Sequence, residues 1–193
     1  MAKMSRTPGN ASGAFKKALK DMQNANVRVG WFESSKYPDD NQTPVAYVAA
    51  INEIGPHKRP FMQPTADARE REWAELMFNL SKRVVKGKMT VEDALTAMGL
   101  QVGGDIQHTI AHVTSPPLSL ITLLARVARR DGKKVTGKTI GEFAAEIKEK
   151  GEAAIRQEVA GISEKPLNET GYMLATTSFS VNMQAPNKVD DET

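Results

Sequence analysis

The clearest β-strand signal in the chain is Val27-Arg28-Val29-Gly30-Trp31-Phe32. Apolar residues alternate along it, which places its two valines and Trp31 on one face of a strand. A second alternating stretch, Ser178-Phe179-Ser180-Val181-Asn182-Met183, stands near the other end of the chain. We therefore predict a small, mostly antiparallel sheet that includes the first and last strands.

The sequence between these two strands carries apolar residues at helical spacing. A side chain that can cap a helix precedes each apolar run. The first helix is expected to bury Phe15 and Leu19, and the last to run unbroken through Gly151 to Val159. The helix starts are predicted at Ser12, Thr43, Thr65, Thr90, Ser119 and Thr139. Several amphipathic helices packed on a small sheet make an α+β fold.

The length of the chain, 193 residues, suits one domain with a sizeable core. We predict a flexible N-terminal arm over residues 1–11, where apolar content is low. A single α+β domain over residues 12–183 follows, with residues 131–164 as a candidate helical insertion. Residues 184–193 are expected to form a flexible acidic tail.

The composition excludes several classes of function. The chain has no cysteine, which excludes disulfide scaffolds, thiolate metal sites and cysteine nucleophiles. Its net charge is only +3, whereas a dedicated duplex-DNA binder concentrates far more positive charge on one face. No apolar run approaches the ~20 residues of a membrane span. We predict a protein made in the cytosol, or used in a particle assembled there, with no membrane partner.

Two histidines, His108 and His112, lie one helical turn apart. This spacing can bind a metal ion, but the zinc-protease motif requires Glu where this chain has Thr109. His57 is the third histidine of the chain. The sequence contains no nucleophile elbow, phosphate-binding loop or dinucleotide fingerprint. We expect no catalytic residue, no cofactor and no metal ion, and keep a metal-dependent hydrolase using the histidine pair as a third hypothesis.

A cluster of basic residues is the sharpest charge feature of the sequence. Its members are Arg126, Arg129, Arg130, Lys133, Lys134 and Lys138. Such a run is usually a solvated surface, but it can also contact protein or the phosphates of nucleic acid. We treat Arg129, Arg130, Lys133 and Lys134 as a candidate contact loop, exposed between two helices.

Three segments, taken in order, resemble a known family. The first is Val27-Arg28-Val29-Gly30-Trp31. The second is Tyr47-Val48-Ala49-Ala50-Ile51-Asn52-Glu53-Ile54-Gly55, followed by Arg59-Pro60-Phe61-Met62-Gln63-Pro64. The third joins Pro116-Pro117-Leu118-Ser119 with Lys165-Pro166-Leu167-Asn168-Glu169-Thr170-Gly171-Tyr172-Met173-Leu174. Together they span most of the chain and are similar to the tail-completion, or neck, proteins of long-tailed bacteriophages.

The family pattern runs through a strand ending in Val-Gly, a helix ending in a Glu-Phe-Gly-like triplet and an Arg-Pro-Phe-x-x-Pro turn. A Pro-Pro-Leu segment and a Lys-Pro-Leu-x-x-Thr-Gly turn before a closing strand complete it. This chain departs from the pattern at Ile54, where an aromatic residue is common, and in the greater length of Asp131–Glu164.

The resemblance implies a structural protein of virion morphogenesis, without catalytic activity. Such a protein completes the tail or joins the tail to the head at the neck, and it is assembled in the bacterial host cytoplasm. Its implied partners are other copies of itself in a ring, sixfold on the tail, and neighbouring tail-terminator, tail-tube or head-completion proteins. Transient proximity to DNA in the lumen is also implied. The alternative is a small DNA-associated packaging or regulatory protein that uses the Arg126–Lys138 basic cluster.

The residues expected to shape the fold and its assembly surface come from these segments. They are Gly30, Trp31, Gly55, Arg59, Pro60, Phe61, Pro64, Pro116, Pro117, Leu118, Pro166, Leu167, Thr170 and Gly171. The three glycines are expected to supply turn geometry that other residues disfavour. Phe61 and Trp73 are expected to anchor the core.

Overall fold

The computed structural model describes residues 10–38, 42–56, 58–167 and 170–183. Over these residues the elements are α1 (Asn10–Gln23), β1 (Asn26–Gly30), α2 (Val45–Ile54), α3 (Met62–Val85), α4 (Val91–His112), α5 (Leu120–Arg130), α6 (Gly137–Lys150), α7 (Glu152–Glu158), α8 (Tyr172–Ala175) and β2 (Ser178–Asn182). The two strands pair antiparallel in one sheet. The α+β prediction is confirmed. Most of the predicted arm and the whole predicted tail lie outside the described residues.

The sheet pairs the strand near the start of the chain with the strand near its end. Val27 lies opposite Val181, and Val29 lies opposite Phe179. The strand β1 ends at Gly30, so the prediction that it includes Trp31 was wrong. The φ angle of Gly30 is 147°, a backbone conformation that L side chains rarely adopt, and the chain leaves the strand there.

The helix α4 is the central element, because it packs against both strands and against α3 and α8. Thr90 and Asp93 form the predicted capping box at its start. Its glycines let the sheet lie close: a Cβ added at Gly99 would come within 2.6 Å of the Phe179 ring. The strand β2 therefore rests on a part of α4 where no side chain intervenes.

The helix starts predicted at Ser12, Thr43 and Thr65 were wrong. The helix α1 begins at Asn10 and so includes Ser12. The helix α3 begins at Met62, and Thr65 is buried within its first turns, where its hydroxyl lies 2.6 Å from the Thr109 hydroxyl. The helix α2 begins at Val45, after Pro44 in the capping position and without a side-chain cap. In both cases a threonine that could cap a helix does not do so, because the neighbouring segments place the start of the helix elsewhere.

The region after the basic cluster forms two helices, where the sequence predicted one. Thr136 caps α6, and Thr139 is the partner in its capping box, so the predicted start at Thr139 was wrong. Gly151 has a φ angle of 81° and separates α6 from α7. A residue in this conformation cannot continue a right-handed helix.

Lys150 connects α6 to α7 across this break. Its ammonium donates hydrogen bonds to Glu146 at 2.7 Å and to Glu158 at 2.8 Å. These two carboxylates, Glu146 first, raise the pKa of Lys150 above its ordinary value. The pair of helices is therefore held by charge as well as by apolar contacts.

The buried apolar residues form three clusters. The first cluster is Val45, Ala49, Phe61, Ile106, Ile110, Leu167 and Met173; the second is Leu80, Val84, Val91, Ala94, Leu95 and Met98; the third is Leu120, Leu123, Leu124, Ile155 and Val159. Val102 packs against the first and second clusters. The third cluster shares no buried residue with the others and lies among α5, α6 and α7.

Two predictions about the core need correction. Phe15 and Leu19 on α1 are exposed, and that helix contacts the second cluster through Ala18 and Met22. Trp73 is only half-buried at the edge of the second cluster, whereas Phe61 is fully buried, as predicted. An indole needs a partner for its N–H, and the Trp73 Nε1 donates to Asp105 Oδ2 at 2.8 Å.

Candidate assembly site

Trp31 ties together three parts of the chain that are far apart in sequence. Its indole Nε1 donates a hydrogen bond of 2.8 Å to the carbonyl of Met173, 142 residues away. Its ring meets the ring of Phe61 edge-on, with centroids 5.6 Å apart and planes at 86°. Edge-to-face contacts of this kind stabilise beyond the apolar area that they bury. The end of β1, the start of α3 and the helix α8 are thus fixed relative to one another.

Glu53 caps the helix α3 from the neighbouring helix α2. Its Oε2 accepts hydrogen bonds from the backbone N–H groups of Phe61 and Met62, at 2.8 and 2.9 Å. Its Oε1 accepts from the N–H of Gln63 at 2.8 Å. These donors have no partner within the helix, and the positive end of the helix dipole favours a carboxylate here. The sequence reading missed this role, although the first turn of α3 has no acidic residue of its own.

Arg59 links the Arg-Pro-Phe segment to the Pro-Pro-Leu segment. Its Nε donates to the carbonyl of Pro116 at 3.0 Å, and its Nη2 to the carbonyl of Pro117 at 3.3 Å. Its own N–H donates to the carbonyl of Asn52 at 2.6 Å. Leu118, which directly follows Pro117, packs against the third cluster. The guanidinium therefore connects the segment before α3 to the segment before α5.

The segment that contains the Lys-Pro-Leu and Thr-Gly residues also packs into the first cluster. Leu167 is buried in the first cluster beside Met173. Gly171 has a φ angle of 68° and stands directly before α8, and the Thr170 hydroxyl accepts from the Tyr172 N–H at 3.2 Å. The positive φ explains the need for glycine at position 171, as predicted.

Gly55 requires glycine for a different reason from the one predicted. Its φ angle is −73°, an ordinary value. A Cβ at this position would lie 2.3 Å from the carbonyl oxygen of Ile51, which accepts the Gly55 N–H. The prediction that Gly55 supplies a turn geometry that other residues disfavour was therefore wrong. Glycine is required because the backbone here packs closely against the last turn of α2.

The structure brings three of the fourteen predicted assembly residues together and leaves five at the surface. Trp31, Phe61 and Leu167 meet in or beside the first cluster. The predicted residues that are exposed are Pro60, Pro64, Pro116, Pro117 and Thr170. The prolines of the sequence predict an extended segment over Pro56–Pro64, but Pro64 lies inside the first turn of α3, so this prediction was wrong at its end.

The basic cluster is divided by the fold. Arg126 is buried, and its guanidinium donates to the carbonyls of Ser163, Lys165 and Pro166, which closes the loop after α7 onto α5. Its inclusion in an exposed cluster was therefore wrong. The other members are exposed: Lys133 and Lys134 on the turn between α5 and α6, Arg129 and Arg130 in the last turn of α5, and Lys138 in the first turn of α6. The predicted contact loop therefore includes the end of α5. Arg130 pairs with Asp131 at 3.3 Å.

The two histidines stack on the surface of α4. The His108 and His112 rings lie 4.2 Å apart, and the His112 Nδ1 is 2.7 Å from the carbonyl of His108. His57 lies outside the described residues. Within residues 10–38, 42–56, 58–167 and 170–183, no group of three or more His, Cys, Asp or Glu side chains could hold a metal ion.

Two open clefts flank α2. One, of about 610 Å³, lies beside Val48 and Asn52 and is lined on its other side by Tyr37 and Tyr172. The other, of about 570 Å³, lies among β1, α3 and α4 beside Glu53. Its lining is mainly apolar and includes Met62, Met77 and Met98. Methionine side chains adapt to differently shaped apolar partners.

No helix in the described parts of the chain is both long enough and apolar enough to cross a membrane. No protein-family model matches the chain, and comparison with curated proteins and with solved structures gives no match either.

Proposed function

We propose that this chain is a structural protein of long-tailed bacteriophage morphogenesis. It completes the tail, or joins the tail to the filled head at the neck, and acts through protein–protein contacts without catalysing a reaction. Its partners are further copies of itself in a sixfold ring and neighbouring tail-terminator, tail-tube or head-completion proteins. Its location is the virion, assembled in the cytoplasm of the bacterial host.

One observation carries this proposal: the segments on which the resemblance depends contact one another directly. Trp31 bonds to Met173, Arg59 bonds to Pro116 and Pro117, and Glu53 caps the helix that follows Phe61. The residue pattern is thus explained by shape, because these segments position one another. A protein whose distinctive segments hold its shape fits a role in which the shape itself is used for assembly.

The test is the presence and position of the chain in phage particles. We expect mass spectrometry to detect it in virions purified from the phage that encodes it, and in tails separated from heads by sedimentation. A phage with the gene deleted should produce heads and tails that do not join, and the wild-type gene supplied in trans should restore joining. Normal infectious particles from the deleted phage would contradict the proposal.

The exposed turn between α5 and α6 supports a second candidate, a DNA-associated packaging or regulatory protein. Without Arg126, the turn exposes Lys133 and Lys134, and the adjoining end of α5 exposes Arg129 and Arg130. Binding through phosphates weakens steeply as salt rises. A mobility shift on duplex DNA that falls with salt and is lost in a Lys133→Ser, Lys134→Ser variant would favour this candidate.

A further inference from the structure

The strand β1 has an outer edge that faces away from β2. In the described chain the sheet contains these two strands, so no further strand pairs with that edge. Residues of an antiparallel strand turn their backbone groups alternately toward the partner strand and away from it. Apart from the bonds to β2, no backbone group of residues 26–30 is hydrogen-bonded to another described residue. The outer edge of β1 therefore presents unpaired N–H donors and C=O acceptors.

The apolar cleft of about 570 Å³ lies at this edge. Val27 and Val29 line it from the strand, and Ala66, Met77 and Met98 are among its lining residues on α3 and α4. No residue of β2 lines it, so the cleft lies between β1 and α3, on the side away from β2. We call it the β1 cleft.

A third strand bonded to β1 would run ~4.8 Å from it and pass over the β1 cleft. Successive side chains of that strand would point alternately into the cleft and away from it. Glu53 is the one ionisable side chain among the described lining residues, and its oxygens already accept the three N–H groups at the start of α3. The cleft therefore suits apolar side chains at every second position of the strand.

The opposite face of the sheet adds a preference in charge. Arg28 stands between the two valines of β1 and is exposed. It forms no ion pair with any residue that the structure describes. Side chains next to each other on one face of a sheet interact, and opposite charges stabilise the pairing of the strands. The edge therefore favours an extended segment with an acidic residue between its apolar positions.

We infer that β1 accepts a strand donated by a different protein of the assembly, an inference that rests on the proposed assembly function. In such strand addition the backbone bonds supply affinity and the alternate side chains supply specificity. A second copy of this chain is a poorer donor, because its two alternating stretches already pair with each other, Val27 opposite Val181 and Val29 opposite Phe179. Each copy can accept one strand in a ring of any symmetry, including a sixfold one.

The outer edge of β2 provides an internal comparison. Neither of the clefts beside α2 is lined by a residue of β2. A strand added at that edge would gain backbone bonds but would have no apolar cleft for its side chains. We therefore expect strand addition at β1 and not at β2.

Selection of random linear peptides without cysteine, on the immobilised full chain, tests the inference. Enriched peptides should carry apolar residues at every second position and an acidic residue between them. Ala66→Trp fills the β1 cleft with an indole and should weaken binding of an enriched peptide by at least about tenfold, because an apolar side chain of the peptide is no longer buried. Fluorescence anisotropy measures the affinity.

Ala68→Trp is the matched control. Ala68 is an exposed residue of the same helix and does not line the β1 cleft. The same change there should alter the affinity less than about twofold. Both variants should keep the thermal melting temperature of the wild type.

Hydrogen exchange measured by NMR tests the wild type directly and does not depend on how the variants fold. The bound peptide should slow exchange of the outward-facing amides within residues 26–30 by at least about tenfold, because they become hydrogen-bonded. Exchange within residues 178–182 should change less than about twofold, because the peptide adds at the other edge.

Several results would overturn the inference. They are a selection without binders, apolar residues enriched at helical spacing, equal loss of affinity in both Trp variants, and unchanged exchange in β1. Self-association of the wild type that is abolished by Ala66→Trp and not by Ala68→Trp would assign the cleft to a second copy, and would also overturn it.

The outcomes for the edge and for the proposed function are separable. Binding of alternating peptides at β1 by a chain that is absent from virions would support strand acceptance and contradict the proposed function. A chain found at the neck that binds no extended peptide at β1 would support the proposed function and overturn the inference.

Discussion

At the level of single residues, Gly99 shows how a missing side chain positions a sheet. A Cβ at Gly99 would come within 2.6 Å of the Phe179 ring, whereas a Cβ at Gly104 would have no atom within 4 Å. Gly99→Ala should lower the free energy of unfolding by about 1–2 kcal/mol, because overpacking outweighs the gain in helix propensity. Gly104→Ala should raise it by about 0.5–1 kcal/mol. Urea unfolding of the two variants checks this, and equal stabilisation would mean that β2 moves freely away from α4.

Among the described residues, Phe61 is the largest side chain with no exposed surface. Phe61→Ala should lower the free energy of unfolding by about 3–5 kcal/mol, since it removes apolar contacts and leaves a cavity beside Trp31. Phe78→Ala, at an exposed ring, should change it by no more than about 0.5 kcal/mol. The two variants can be compared by thermal and urea unfolding. Similar stabilities would show that the Phe61 ring does not lie in the core in solution.

Residue roles that depend on nearby sequence were predictable, and roles that depend on distant partners were not. Phe61 was recognised because the neighbouring prolines, Pro60 and Pro64, fix a rigid entry into a helix. Arg126 was assigned to a surface cluster, although its carbonyl partners at Ser163, Lys165 and Pro166 bury it. Those partners lie 37 to 40 residues away, so no local pattern contains them.

At the level of elements, the start of α3 depends on a carboxylate from another helix. Glu53→Ala should lower the free energy of unfolding by about 1–3 kcal/mol, because it leaves the N–H groups of Phe61, Met62 and Gln63 without their acceptor. Glu70→Ala removes an exposed carboxylate from the middle of α3 and should change stability by less than about 0.5 kcal/mol. Urea unfolding of both variants is the measurement. A loss as small as that of the control would mean that water replaces the cap.

The turn between α5 and α6 should be the first part of residues 10–183 that trypsin cuts. Its residues 131–136 belong to no helix, and Lys133 and Lys134 are exposed there. The basic residues within α3 are held by helical hydrogen bonds and should be cut later. Limited proteolysis followed by mass spectrometry identifies the first cut. Initial cleavage between Glu70 and Lys82 would contradict the stability of α3.

Two helix starts were predicted correctly from a local cap. Thr90 with Asp93, and Ser119, cap α4 and α5 as expected, because each cap and the N–H that it accepts from lie within one turn. The start of α6 was predicted three residues late although its cap, Thr136, is also local. The cap of α3 was predicted at Thr65, four residues after the capping position Phe61, because the side chain that caps it, Glu53, comes from α2. The break at Gly151 was also missed, because a glycine on an apolar stripe is compatible with both a helix and its end.

At the level of the whole molecule, the buried apolar residues divide into two parts. The sheet, α3 and α4 share a continuous core through Val102, and the pattern of strands and helices in the sequence predicts this arrangement. The third cluster packs separately among α5, α6 and α7. Three of its five buried residues lie on α5, and the other two, Ile155 and Val159, lie within residues 131–164, the predicted helical insertion. The predicted insertion is therefore packed onto α5.

Self-assembly of the whole chain should depend on its context. The exposed apolar residues of the described chain are scattered over several helices, whereas ordinary interfaces bury ~800 Å² per partner. A tail that holds several copies side by side raises their effective concentration and makes weak contacts sufficient. We expect mainly monomers or small oligomers at micromolar concentration, and a closed ring only on the tail or at high concentration. Sedimentation velocity across a concentration series measures this. A ring that persists at nanomolar concentration would contradict template-dependent assembly and leave the structural role intact, because a preformed ring serves the neck equally well.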